Sequence, residues 1–213
     1  NTVRILYSND TLYKYQAFFG RINYNWQDCY IINLTGRRDG SSRFGPGNQF
    51  AVFGAVGAAW VFSKENFIRD NTWISFGKLR ASYGTTGNDQ IGDYQFLNTY
   101  TSSGLPYDGS TGLQPARLYN PDFGWEVNKK LEAPLETGFL QDRIFFTASW
   151  YQNRSSNQLV GIPLAGTTGF QSLQANLDAV VENSGWEFTL RTVNFKTSTF
   201  NWTTSLNLTL AKN

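Results

Sequence analysis

Two carboxylates four residues apart, Glu132 and Glu136, form the pair in this sequence that most resembles catalytic machinery. In a strand they share one face, because side chains alternate, and carboxylate pairs can cleave glycosidic bonds. Lys130 falls on the same face, so solvated and charge-balanced side chains explain the pattern more simply. The chain has no histidine, which is the commonest general base, and none of the common nucleophile, phosphate-loop or Cys/His metal motifs. We therefore predict a protein that is not an enzyme and holds no cofactor.

The segment Asn88–Asp93 brings several side-chain oxygens together. Calcium prefers oxygen ligands, but an EF-hand loop needs a longer fixed pattern that ends in a glutamate, and this segment lacks it. We predict a polar loop tip with no metal.

A cluster of charged and hydroxyl side chains runs from Arg37 to Arg43. One hypothesis makes Arg38 and Arg43 part of a charged rim that contacts a substrate or a partner protein. The other is an internal network of ion pairs and hydrogen bonds that fixes the adjoining loop. The second is favoured, because Asp39 is present to pair with the arginines.

The long segment 86–123 contains five aromatic residues that are candidates for binding. Aromatic rings in loops can stack on sugars, grip peptides or serve protein interfaces. Packing of the loop against its own protein is the alternative. The candidates are Tyr94, Phe96, Tyr100, Tyr107 and Tyr119.

Composition narrows the class of protein further. The net charge is +2 over 213 residues, so nothing favours nucleic acid, which needs dense Lys and Arg contacts. The single cysteine, Cys29, allows no disulfide within the chain. The mean hydropathy is −0.39, yet Phe 17, Tyr 11, Trp 7 and Gly 20 are abundant. A polar average with many aromatic residues suits a soluble all-β protein or a membrane barrel, whose strands are apolar on one face only.

Period-two alternation, the signature of strands, recurs along the chain. In the first predicted strand Ile22, Tyr24 and Trp26 share one face, opposite Arg21 and Asn23. Many of the segments reach the roughly 9–11 residues that a tilted strand needs to cross a membrane. Besides residues 1–8, a further candidate, the predicted strands are 13–27, 30–39, 50–63, 74–85, 124–139, 144–157, 181–193 and 200–211.

The connections between these strands alternate between short and long. The short ones are 28–29, 64–73, 140–143 and 194–199, and the long ones are 40–49, 86–123 and 158–180. Outer-membrane barrels have short periplasmic turns and longer extracellular loops. Aromatic residues at the strand ends, such as Trp26, Tyr30 and Trp60, match the girdles of such barrels. A soluble β protein whose aromatic rings cap its core would have the same composition. Composition alone therefore does not separate a soluble β protein from a membrane barrel.

Six motifs in order then resemble the SusC/RagA family of TonB-dependent transporters, over residues 13–213. Arg37–Gly45 matches the family's R-x-D-G-S-S-R-F-G, and Lys78–Asn88 matches K-L-R-x-S-Y-G-x-T-G-N. The other four are Phe53–Glu65 for F-x-x-x-A-x-A-W-x-x-S-x-E, Asn120–Glu126 for N-P-x-L-x-W-E, Gly138–Ile144 for G-F-x-x-x-R-I, and Asn183–Glu187 for N-x-G-x-E.

The resemblance implies an all-β fold, with residues 1–213 forming about eight or nine strands of a large antiparallel transmembrane barrel of roughly 22 strands around a plug. The plug, the TonB box and the closing strand are expected outside residues 1–213. The resemblance also implies that the protein lies in the outer membrane, contacts its lipid and imports a substrate with energy from TonB. The expected partner is a SusD-like surface lipoprotein that covers the mouth, and the expected substrate is an oligosaccharide or a peptide.

Two rival classes are a soluble glycan-binding β-sandwich and a cell-surface enzyme. The barrel hypothesis predicts one antiparallel sheet in meander order, whereas a sandwich needs two packed sheets. It also predicts which side chains share the lipid-facing side and which share the lumenal side. The lipid-facing set is Ile22, Tyr24, Trp26, Leu79, Tyr83, Leu135, Trp150, Phe188 and Leu206, and the lumenal set is Arg21, Asn23, Arg80, Glu132, Glu136, Thr147 and Glu187.

Overall fold

The structure is a computed structural model that describes residues 10–213, except the side chains of Leu105 and Tyr107. The candidate strand 1–8 lies outside the described residues. Ten strands form most of this part of the chain. They are β1 Tyr15–Trp26, β2 Tyr30–Ser41, β3 Phe50–Trp60, β4 Ile74–Asn88, β5 Thr99–Tyr107, β6 Ser110–Arg117, β7 Glu126–Phe139, β8 Ile144–Pro163, β9 Ser172–Lys196 and β10 Asn201–Lys212.

Helical structure in the described residues is confined to short connecting pieces. A 3-10 turn at Phe62–Lys64 and one α-helical turn, α1 at Asn66–Arg69, lie between β3 and β4, and a second 3-10 turn, Gly166–Thr168, lies between β8 and β9. No helix within residues 10–213 is long and apolar enough to cross a membrane.

Eight of the strands form one antiparallel sheet in the order β1-β2-β3-β4-β7-β8-β9-β10. The predicted meander is therefore confirmed for these strands. The predicted single sheet is incomplete, because β5 and β6 pair only with each other.

The register places the two predicted sets of side chains on opposite faces of the sheet. Residues directly opposite in a ladder share a face, and Ile22 pairs with Leu34, which pairs with Val56, which pairs with Tyr83. The same face continues through pairs such as Leu79 with Leu135 and Leu190 with Leu206. We call this side the apolar face.

The opposite side, the polar face, carries the predicted lumenal set. Asn23 pairs with Asn33, and Ser82 pairs with Glu132. Arg80 forms an ion pair with Glu136 at 2.6 Å. Glu136 is therefore engaged by a cation next to it in the sheet, which agrees with the charge-balanced reading of the carboxylate pair.

Pro134 lies inside β7 without shifting the register of that strand. It pairs with Ser149 in a ladder between β7 and β8 that runs without a break. On the other side, the ladder between β4 and β7 has no pairs between Leu79–Leu135 and Ser82–Glu132. Proline has no N–H to donate, so the sheet tolerates it by a local gap toward β4.

The prediction of a loop at 158–180 is wrong, since most of these residues extend β8 and β9. Their ladder extends to the pair Pro163–Ser172, which leaves only 164–171 as the connection. A β-bulge interrupts the pattern between Ser156 and Gln158, where Asn157 has φ +59°. The bulge breaks the period-two alternation, and this explains why the sequence pattern ends the strand at 157.

The predicted loop 86–123 is also corrected. β4 continues to Asn88, and β5 and β6 form a hairpin around Asp108-Gly109, both with positive φ. An Asp-Gly pair with two positive φ values is a favoured two-residue hairpin turn. The flanking strands are rich in Gly and Ser, so their alternation is weak.

The connections divide the sheet into two ends. At the turn end lie 27–29, 61–73, 140–143 and 197–200, and at the loop end lie 42–49, 89–125 and 164–171. The difference in length between the connections at the two ends is thus smaller than the sequence predicts, because the turn-end connection 61–73 is longer than two of the loop-end connections. The predicted aromatic rim is present at the turn end, where the Trp26 and Tyr30 rings stack with centroids 5.5 Å apart.

A charge placed on each face of one strand tests which face meets lipid. Leu34 and Asn33 are neighbours in the middle of β2 on opposite faces. In the full-length protein that contains residues 1–213, called the parent protein below, Leu34→Arg should lower the free energy of unfolding by about 2–4 kcal/mol. This is the cost of placing an arginine at the membrane midplane. Asn33→Arg should cost little, because that side meets water. Unfolding in phospholipid vesicles measures both, and the reverse ranking would show that the faces are inverted.

Candidate functional site

A cluster of four aromatic side chains forms the most buried part of the described protein, at the loop end. Phe44 and Phe123 are 0% exposed, and Phe53 and Trp125 are nearly as buried. The Phe44 ring lies 5.1 Å from that of Trp125 and 6.0 Å from that of Phe123, centroid to centroid. Aromatic pairs at such distances add to the burial of their surface. We call these four residues the aromatic cluster.

The aromatic cluster joins segments that are distant in sequence. Phe44 comes from the connection 42–49, Phe53 from β3, and Phe123 and Trp125 from the end of the connection 89–125. The Trp125 indole N–H donates to the carbonyl of Gln49 at 3.1 Å. Gly87 makes room for the aromatic cluster, since a Cβ added at Gly87 would lie 2.1 Å from the Phe53 ring. The cluster therefore fixes the bases of two loop-end connections to the sheet.

A polar network beside the aromatic cluster centres on the buried carboxylate of Asp89. It accepts hydrogen bonds from the Tyr13 hydroxyl at 2.9 Å and the Ser41 hydroxyl at 2.7 Å. Arg43 donates to the Asp89 carbonyl at 3.0 Å and pairs with the Asp93 carboxylate at 3.1 Å. These five residues are called the Asp89 network below.

Burial and the Asp89 carboxylate both act on the Tyr13 phenol. Desolvation, followed by the hydrogen bond to Asp89, raises the pKa of the Tyr13 phenol. Tyr13 thus stays a protonated donor, and its ring also lies 4.2 Å from the Arg43 guanidinium carbon. The Asp89 and Asp93 side chains are engaged by these partners. Within residues 10–213 no cluster of His, Cys, Asp or Glu suits a metal ion.

A third set of contacts ties the extended β8–β9 ribbon to the same loop. The Asn176 side chain accepts from the Gly124 N–H and donates to the Gly124 carbonyl, both at 2.8 Å. The Asn120 amide donates to the Gln174 carbonyl at 2.7 Å, and the Asn157 amide donates to the Trp125 carbonyl at 2.9 Å. The Asn176 and Asn157 side chains thus satisfy backbone groups of Gly124 and Trp125, which lie outside the strands.

The two predicted arginines differ in their surroundings. Arg43 belongs to the Asp89 network, as the hypothesis of an internal network requires. Arg38 lies within β2 and not in a loop, with its guanidinium carbon 4.7 Å from the centroid of the Phe50 ring. Its ladder partners are Phe18 and Val52, so it lies on the apolar face near the loop end.

The predicted aromatic residues divide into packed and exposed ones. Phe96 packs against the aromatic cluster, and the Tyr94 hydroxyl accepts from the Leu12 N–H at 3.0 Å. Tyr100, in β5, is 57% exposed, and Tyr119, just after β6, is 55% exposed. Tyr107 ends β5, and its side chain is outside the described set. Of the described candidates, Tyr100 and Tyr119 are therefore the most exposed, and Tyr94 is 37% exposed.

Sequence reasoning missed the residues that organise the loop end. Asp89 was considered only as a metal ligand, and Trp125 only as part of a motif. The partners of Asp89 lie 48 and 76 residues away in sequence, so no local pattern shows them. The available signal was the order of the motifs, since Arg37–Gly45 and Asn120–Glu126 supply three of the four residues of the aromatic cluster, Arg37–Gly45 also supplies Ser41 and Arg43, and Asp89 directly follows the motif Lys78–Asn88.

Next to these contacts the polar face has a cavity of about 310 Å³. Arg37, Asp39, Phe53, Asp89 and Trp125 are among the residues that line it. The Arg37 Nε donates to both Asp39 oxygens, at 2.5 and 2.8 Å. The Arg37 and Asp39 charges at this cavity are therefore paired with each other.

Comparison with known proteins gives consistent relatives. The profile of the family described as "TonB dependent receptor-like, beta-barrel" matches residues 2–212. A TonB-dependent receptor of Formosa agariphila is 36% identical over all of this chain and 22% of its own length. The TonB-dependent receptor SusC of Bacteroides thetaiotaomicron is 30% identical over 91% of this chain and 20% of its own length.

A solved structure supports the same family. The RagAB peptide transporter structure contains a chain that is 30% identical, with a TM-score of 0.86 over 93% of this chain and 22% of that one. The present chain thus spans about a fifth of the length of the relatives it resembles.

Removing the Asp89 carboxylate should loosen the loop end. In Asp89→Ala the Tyr13 and Ser41 hydroxyls lose their acceptor, and for the buried Ser41 hydroxyl this costs roughly 1–3 kcal/mol. If local opening absorbs this cost, cleavage within 89–98 should be roughly 5- to 150-fold faster in limited proteolysis of the parent protein. Asp122→Ala, at an exposed position of the same connection, is the control and should match the unsubstituted protein. Equal cleavage of both variants would show that the Asp89 network does not hold the loop.

Proposed function

The chain belongs to the TonB dependent receptor-like β-barrel family and lies in the outer membrane, and we propose that its parent protein imports a nutrient through the barrel with energy delivered through TonB. In this proposal residues 1–213 are one partial barrel domain. They supply part of the wall and part of the surface that recognises the nutrient, and they bind neither nucleotide nor nucleic acid.

The observation that carries this proposal is the contrast at the loop end between a rigid base and exposed rings. The aromatic cluster and the Asp89 network hold the bases of the connections with buried contacts. Above them the β5–β6 hairpin presents Tyr100, and Tyr119 follows it. Tyrosines bind well because they expose a large rigid surface with one polar group. A fixed base lowers the entropy lost when such rings meet a ligand.

The nutrient is an oligosaccharide or a peptide in this proposal. Phenol rings stack on the faces of sugars and also pack against peptide side chains, and the polar face offers hydrogen-bonding groups to both. A relative is named as a peptide transporter and another as SusC. The loop end also suits a SusD-like surface lipoprotein that covers the mouth and traps the nutrient between the two proteins.

The two rival functions have less support. A soluble glycan-binding sandwich requires two sheets packed on a shared core, whereas eight described strands form one sheet with an exposed apolar face. An enzyme requires a free acid or base in a cleft, whereas Glu136 and Asp39 are both paired with arginines. Transport without chemistry therefore accounts for these groups best.

Deleting the β5–β6 hairpin tests the recognition role. Thr99 and Arg117 are ladder partners, so a short Gly-Ser link can replace 99–117 and leave the aromatic cluster in place. Uptake of labelled oligosaccharides or peptides by cells with this variant should fall, or the lipoprotein should dock more weakly. The barrel should still assemble, because loops tolerate change better than ladders.

The matched control is a substitution at the turn end. Gln141 is exposed and has φ +58°, which asparagine also tolerates, so Gln141→Asn should leave uptake unchanged. Loss of uptake in Gln141→Asn with normal uptake after hairpin deletion would show that the orientation proposed for the strands is inverted.

A further inference from the structure

The connecting segment 61–73, between β3 and β4, folds back onto the sheet at the turn end. Glu65 holds it there, since one carboxylate oxygen accepts from the Tyr30 hydroxyl at 2.5 Å, the Trp60 indole N–H at 3.2 Å and the Cys29 thiol at 3.4 Å. We call these four residues the Glu65 cluster. Three donors on one carboxylate oxygen are more than a solvated surface glutamate needs.

The Glu65 cluster lies on the apolar face. Tyr30 and Trp60 are direct ladder partners in β2 and β3, in the row of residues that continues to Leu79. Phe62 gives a second contact, because its ring covers Gly77, where an added Cβ would lie 2.1 Å away. Gly77 is two residues from Leu79 and so shares its face. Residues 61–73 therefore lie against the apolar face, which is the side of the sheet that meets the membrane.

Two large rings in this segment are largely uncovered by residues 10–213. Phe67, in α1, is 71% exposed, and Trp73 is 69% exposed. The backbone of Trp73 is nevertheless fixed, because its N–H donates to the Asn71 side chain at 2.8 Å and its carbonyl accepts from the Leu140 N–H at 3.0 Å. A fixed backbone with an exposed apolar ring is costly in water and favourable at a membrane interface.

We propose that residues 61–73 form an interfacial anchor, in which Phe67 and Trp73 insert into the headgroup boundary of the phospholipid leaflet at the turn end and the Glu65 cluster holds the segment against the barrel wall. The surface is continuous with the apolar face, so the occupant is the membrane that already surrounds the strands. Amphipathic segments that lie in the interface bind through apolar rings buried at the headgroup boundary, while their charged side chains stay in water. The anchor does not depend on which nutrient is imported.

The test places a fluorescent reporter on the segment in the full-length parent protein, reconstituted in phospholipid vesicles. Phe67→Cys is labelled with an environment-sensitive nitrobenzoxadiazole, and the quencher is a phospholipid with a nitroxide near its headgroup. Gln141→Cys, in the β7–β8 turn at the same end, is the matched control. Labelling of the unsubstituted protein gives the blank for Cys29, which is buried. We expect loss of fluorescence at position 67 and little loss at position 141.

A second substitution tests whether the Glu65 cluster holds the anchor. Glu65→Ala removes the acceptor, so quenching at position 67 should fall toward that at position 141. Glu65→Gln keeps a side-chain oxygen and should retain most of the quenching. Equal quenching at positions 67 and 141 would overturn the anchor, and unchanged quenching in Glu65→Ala would overturn the role of Glu65. If Glu65→Ala does not assemble, the comparison of positions 67 and 141 decides the proposal alone.

Discussion

Every backbone N–H and C=O inside a membrane must find its partner within the protein, and the rest of this structure depends on that requirement. In hydrocarbon each unsatisfied group costs several kcal/mol. The ladders from β1 to β10 meet the requirement strand by strand, and side chains then alternate between lipid and lumen. This is why the chain has a polar average, a large exposed apolar face and almost no buried core along its strands. The gap beside Pro134 is tolerable because it lies within the sheet, with an unbroken ladder on the other side.

Beyond the strands the stabilising interactions change from ladders to side chains. At the loop end, buried aromatic rings exclude water, the Asp89 carboxylate accepts from the Tyr13 and Ser41 hydroxyls, and asparagine amides bond to backbone groups of the connections. These contacts join parts of the chain that are far apart in sequence. As a result the loop end has a compact interior of its own, although it lies at the rim of a sheet. The segments on either side of the β5–β6 hairpin join this interior, since Phe96 packs against the aromatic cluster and the Asn120 N–H donates to the Phe96 carbonyl.

The sequence predicted the strands well where alternation was unbroken. Strands β1 to β3 begin and end within a few residues of expectation, because lipid on one side and water on the other impose a strict period of two. The prediction ended β8 early, since one bulged residue, Asn157, reverses the alternation after it. It missed the β5–β6 hairpin, although Asp108-Gly109 was a usable turn signal, because Gly and Ser in the flanking strands weaken the alternation.

The candidate site was less predictable for a different reason. Whether Arg43 contacts a ligand or its own protein depends on Asp89 and Asp93, which are brought to it only when β2 and β4 join the same sheet. Local sequence showed that charges of both signs were present, and this was enough to favour an internal network. It could not separate Phe96, which packs against the aromatic cluster, and Tyr94, whose hydroxyl is hydrogen-bonded to Leu12, from the more exposed Tyr100 and Tyr119. That difference arises from the path of the connection over the aromatic cluster.

At each end of the sheet one carboxylate accepts hydrogen bonds from several donors. These carboxylates, Glu65 at the turn end and Asp89 at the loop end, both lie just outside the spanning strands. At the turn end the hydrogen bonds from Tyr30, Trp60 and Cys29 lower the pKa of Glu65. A lowered pKa in the folded state means that the stabilisation is fully present above the usual pKa of a glutamate and is lost only as the pH falls through the lowered value. The Glu65 cluster therefore stays ionised and intact near neutral pH. A carboxylate placed deeper, among the lipid-facing side chains, would be desolvated without water beside it and would favour the protonated form. The interface is thus the place where one charge can hold a connecting segment to the wall of a barrel.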